Sequence, residues 1–95
     1  MFATAIKMNV GCENSSFCGD IHSIRIKDKN GENFHTKEVV HNHLLSNPGT
    51  IQVDIGPYYP NLVPAVSSNG VKYVRSEPND TPHDNLLSLP KYRLK

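Results

Sequence analysis

The residue types with the most chemical potential gather early in the chain. Cys12, Cys18 and His22 follow a Cys-x5-Cys-x3-His spacing, which places three nitrogen or sulfur donors in one short stretch. A structural zinc site takes four such ligands, most convincingly from paired short spacings. His35, His41 or His43 could supply the fourth. Yet there is no Cys-x2-Cys pair, and His41 and His43 stand two apart, which on a helix turns them to nearly opposite sides. Two reduced thiols in an irregular loop and solvated histidines account for the same residues without a metal, so no cofactor is expected. Cys18, Asp20 and His22 also bring together a thiol, a carboxylate and an imidazole, the residue types of nucleophilic catalysis. Alternation along a strand would send such neighbours to opposite faces, and nothing nearby marks an oxyanion hole. The expectation is a non-enzyme.

A second set of residues points to binding. Lys7, Arg25 and Lys27 share the polar side of two predicted strands, and pairing of those strands would make a small basic patch. Lys72 could extend it, and the final "KYRLK" adds three cations beside Tyr92. Sheet faces that bind single-stranded nucleic acid combine such charges with exposed aromatics. Tyr58, Tyr59 and Tyr73 are the aromatic candidates. The competing explanation is an ordinary solvated sheet face, which also carries Lys and Arg. The whole-chain balance favours restraint: 10 basic side chains against 9 acidic ones leave a net charge of +1, without the basic excess usual in proteins that neutralise phosphates. The "GPYYP" loop offers rigid apolar contacts, with one tyrosine expected over the core edge and the other free to touch a partner. A small-ligand-sequestering oligomer would need no catalytic residues, but no phosphate-cradling glycine loop supports one.

The elements that must position these residues are short. Ile6, Met8 and Val10 alternate with polar or small residues, as do Ile24 and Ile26, and each run predicts a half-buried strand. "GCENSSFCGD" between them is a loop. Asn30-Gly31 is a strong turn signal, after which the chain hairpins briefly into Phe34. Thr36 is a good N-cap for a helix starting at Lys37, with Glu38 favourably placed in its first turn. Val40 and Leu44 form its apolar face, flanked by Val39 and Leu45, and Asn47-Pro48-Gly49 stops it. Ile51, Val53 and Ile55 predict a third strand. Asn69-Gly70 then joins the run of Val63, Ala65 and Val66 to "VKYVRS" in a hairpin.

These elements predict one α+β domain over residues 1–95. It has a mostly antiparallel sheet of four or five strands, with one helix after the second strand covering one face. The 7 prolines and 6 glycines imply many loops and a modest core. No apolar run approaches the ~20 residues that span a bilayer. The opening "MFATAIKMNVG" is too short and broken for a signal peptide, so a cytoplasmic location is the default expectation.

The tail carries the most distinctive pattern. Tyr73-Val74-Arg75-Ser76 is followed by an acidic spacer and then by Asp84, Asn85, Leu86, Leu87, Leu89 and Pro90. This resembles the family called domain of unknown function 3892, whose members end in Tyr-apolar-Arg-Thr, a spacer and Asp-Asn-Leu-Leu-x-Leu-Pro. "DIHSIRI" is similar to that family's second strand through Ile21, Ile24 and Arg25. The chain departs from the pattern at Cys18 and Asp20, where a His pair is usual, at Ser76 in place of Thr, and in a longer "GPYYPNL" loop. The resemblance implies a compact α+β fold whose tail belongs to the domain, and it carries no activity. Asp84 would cap a short helical turn over residues 85–89 that Pro90 stops, with Leu86, Leu87 and Leu89 turned against the core. The functional expectation is an interaction module, self-associating or bound to another protein through an edge strand or the uncovered sheet face. Single-stranded nucleic-acid binding through Lys7, Arg25 and Lys27 is the alternative.

Overall fold

The computed structural model describes residues 1–77 and 85–94. Among these residues seven strands and one α-helix run β1 (Phe2–Met8), β2 (Ile21–Asp28), β3 (Gly31–Thr36), α1 (Lys37–Ser46), β4 (Gln52–Val53), β5 (Leu62–Val66), β6 (Lys72–Ser76) and β7 (Lys91–Tyr92). Single 3-10 turns cover Cys18–Asp20 and Asn85–Ser88. The main sheet has the order β3-β2-β1-β4, and β7 pairs with β1 beside β4. β1, β2 and β3 are antiparallel neighbours, while β4 and β7 run parallel to β1. β5 and β6 form a separate two-stranded sheet.

The α+β class therefore holds, with differences in detail. The helix follows the third strand rather than the second, because the Asn30-Gly31 turn opens a full strand. Asp28 accepts the Asn30 amide at 2.7 Å, and Gly31 takes a φ of +132° that suits glycine. The predicted strand over 51–55 shrinks to Gln52–Val53, since Ile55 N–H donates back to the Val53 carbonyl and bends the chain away. Val10 lies past the end of β1 and is exposed. The Asn69-Gly70 hairpin forms as expected, with Gly70 at φ +81°, but it stands apart from the main sheet. Pro64 sits inside β5, which a strand with a free edge tolerates.

The core lies between the inner face of the main sheet, α1 and the small sheet. Ala3, Ile6, Met8, Ile21, Ile24 and Ile26 meet Val40 and Leu44 of α1, and Leu62 and Val74 of the hairpin. α1 begins where Thr36 Oγ1 accepts the Val39 amide at 3.4 Å. Val39 and Leu45 flank the buried face and stay exposed. His41 is a core residue instead of a solvated one: its Nδ1 sits 2.9 Å from the Tyr73 carbonyl and ties the helix to β6. His43 turns elsewhere and reaches Thr50 Oγ1 at 3.1 Å. Leu86, Leu87 and Leu89 are all buried in the same core, each contributing about 1.5–3 kcal/mol. The Pro90 carbonyl then accepts the Ile6 amide at 2.9 Å and leads the chain into β7. Asp84, the expected cap of this turn, lies outside the described residues. Among the described residues no helix is long and apolar enough to cross a membrane.

Candidate interaction surface on the outer sheet face

Two register shifts in β1, between Ala3 and Ala5 and between Lys7 and Met8, shape the face of the sheet turned away from α1. Arg25 lies opposite Ala5 on one side and Phe34 on the other, so these residues share that face. Lys7 stands beside Tyr92 across the parallel β1–β7 pair. Ala5 is fully buried yet outside the core cluster, as a small residue beneath larger neighbours would be. Its size leaves room for Arg25 to lie across the sheet toward β7.

The result is a closely interlocked set of cations and rings. Lys7 Nζ lies 4.3 Å from the centre of the Phe34 ring. The Arg25 guanidinium carbon is 4.9 Å from the centre of Tyr92 and 6.0 Å from that of Phe34. Arg25 Nη1 donates to the Tyr92 hydroxyl at 3.1 Å. The two rings meet edge to face, 5.7 Å apart at 67°. Arg25 Nε donates to Thr4 Oγ1 at 2.9 Å and lies 3.1 Å from Glu32, whose carboxylate also accepts the Thr4 hydroxyl at 2.9 Å. Glu32 and Arg25 are partly exposed, so their ion pair contributes at most about 1 kcal/mol. Its main effect is to fix one rotamer of Arg25. Aromatic rings at the surface can stack on planar groups, and fixed cations beside them can meet anions.

Other candidates are dispersed. Lys27 is exposed further along the same face, opposite Phe2 and Glu32. Phe2 packs edge to face on Tyr59 at 5.8 Å, and both border a shallow cleft with Lys27, Lys29 and Asp54. Tyr58 next to it is 89% exposed. Lys72 belongs to β6 in the small sheet, so it does not join the patch. Tyr73 packs against Phe17 at 5.2 Å and is half-buried, which makes it part of the core edge rather than a stacking platform. Two residues of "KYRLK" are tied down: Lys91 Nζ donates to the Glu13 carbonyl at 3.1 Å, and Tyr92 is held as above.

The early donor cluster does not assemble. Cys18 is buried in the core, Cys12 lies half-buried in the loop, and both are thiols. Asp20 accepts the Ser15 hydroxyl at 2.6 Å and so braces the loop. His22 is half-buried, with its Nδ1 unpartnered. Among the described residues no three His, Cys, Asp or Glu side chains converge as a metal-binding set.

Glu32 and Phe34 do not stand out as site residues because "GENFHT" lacks the apolar–polar alternation of a half-buried strand, and Thr4 does not because it carries no charge or ring. A signal existed: the tight turn that pairs Asp28 with Gly31 also fixes Arg25 opposite Phe34 by counting outward.

The family model for Protein of unknown function (DUF3892) matches residues 3–90. The chain belongs to this family. It matches no curated protein and no solved structure. The matched span includes Lys7, Arg25 and Phe34 and the leucine turn, while Tyr92 lies just beyond it.

Proposed function

We propose that this domain is a non-enzymatic binding module whose working surface is the outer sheet face, and that single-stranded nucleic acid is its ligand. The observation that carries the reading is the placement of Lys7 and Arg25 against Phe34 and Tyr92 on one solvent-facing patch. A base has a π-face that either ring can accept, and the neighbouring phosphates find cations already held in place. The four strands that carry these residues, spaced about 4.8 Å apart, give a platform for roughly two or three bases. Lys27 and the Phe2–Tyr59 pair continue the track along the face. Glu32 offsets part of the local charge, and the net charge of +1 adds no broad attraction. Affinity should therefore be modest and depend on stacking as much as on charge.

The test is a fluorescence anisotropy titration of a labelled oligothymidylate at several salt concentrations. Two phosphate contacts predict a log–log salt slope of about −1.4. Arg25→Glu should abolish binding, and Lys72→Glu should leave it within about twofold, since an exposed charge off the site acts only through a screened field. Binding that ignores salt, or that survives Arg25→Glu, contradicts the reading.

A further inference from the structure

We infer that β3 pairs antiparallel with β3 of a second copy, joining two main sheets into one. The sheet edges are treated very differently. On the far side of the main sheet, β1 is covered twice, by β4 and by β7. β4 is in turn covered by the 60–62 segment, through Val53 N–H to the Pro60 carbonyl and Leu62 N–H to the Ile51 carbonyl. In the small sheet, β5 carries Pro64 and β6 carries Lys72 and Arg75, both familiar guards against further pairing. β3 has none of these. It pairs with β2 through six consecutive residues without a bulge, contains neither proline nor lysine, and is exposed at every position except Phe34. Among the described residues its other side pairs with nothing.

The strand's own charge pattern selects a second copy as the occupant. Glu32 sits near its start, with Asp28 before the turn, whereas His35 sits near its end and Lys37 just past it, half-buried with its Nζ donating to the Gly19 carbonyl of its own chain at 2.7 Å and two donors left for a neighbour. Antiparallel self-pairing brings the acidic end of each copy to the basic end of the other. A two-fold axis along the sheet normal keeps both outer faces on the same side. Facing residues must then share a face, which alternation along the strands allows only if their numbers sum to an even value. The register centred on Phe34 satisfies this: the two Phe34 rings meet at the axis, and each Glu32 faces Thr36 and neighbours Lys37 of the second copy. The two cation–ring patches then adjoin across the axis. This proposal does not depend on the nucleic-acid reading.

Light scattering of the full chain without nucleic acid, over a wide concentration range, tests it. The wild type should be a dimer. Glu32→Lys should weaken the dimer about tenfold or more, and adding Lys37→Glu should restore it. A second readout covers the case in which a charge variant fails to fold. Phe34→Cys should yield a disulfide-linked dimer under mild oxidation, because residues facing each other across antiparallel strands have Cβ atoms about 4.5–5.5 Å apart, while Lys72→Cys should not. A wild type that stays monomeric throughout overturns the proposal. So does a dimer indifferent to both charge variants, or cross-linking at position 72 but not at 34.

Discussion

At the scale of single residues, Arg25 organises the outer face. Its planar group serves three neighbours at once: Tyr92, Thr4 and Glu32. Lysine keeps the charge but loses this fork. Arg25→Lys should therefore reduce oligonucleotide affinity about tenfold, equivalent to ~1.4 kcal/mol, with little change in the urea midpoint because the pair is near the surface. Leu87 shows the opposite behaviour. It is buried in the core cluster, so Leu87→Ala should cost about 2–5 kcal/mol in urea denaturation while sparing the chemistry of the face. Both residues were legible in the sequence for different reasons. Arg25 stands out as a polar residue alternating with Ile24 and Ile26. Leu87 stands out as an apolar residue in a tail that would otherwise fray. Phe34 was not legible as a partner of Arg25, since its strand lacks the alternation that marks a buried face.

At the scale of elements, local chemistry was the reliable guide. Thr36 caps α1 and Gly70 turns the β5–β6 hairpin, each through a requirement confined to a few residues. Thr36→Ala should cost about 1 kcal/mol. Gly70→Ala meets no steric neighbour, but it forces a φ of +81° on a residue with a Cβ, and should cost about 1–2 kcal/mol. Thermal or chemical unfolding checks both. What local chemistry could not reveal is the pairing of β4 and β7 with β1. Each is only two residues long and joins β1 across a large sequence separation. No periodicity can register in two residues, and parallel pairing leaves no turn signal. This is also why "KYRLK" read only as three added cations beside Tyr92, when β7 in fact delivers Tyr92 to the cation patch.

At the scale of the whole molecule, the layers explain where function can reside. Among the described residues, α1 and the small sheet cover the inner face of the main sheet and leave the outer face uncovered. With 10 basic and 9 acidic side chains, the chain has little long-range field. On the proposed reading, recognition rests on the local geometry of Lys7, Arg25, Phe34 and Tyr92, and added salt should weaken binding without eliminating the stacking contribution. The most direct test is an amide chemical-shift titration of the isotopically labelled domain with an oligothymidylate. The largest shifts are predicted at Lys7, Arg25, Phe34 and Tyr92, smaller ones at Phe2 and Lys27, and none at Lys72 or elsewhere in the β5–β6 hairpin. Shifts centred on that hairpin, or a spectrum unchanged at saturating oligonucleotide, would contradict the assignment of the outer face as the binding surface.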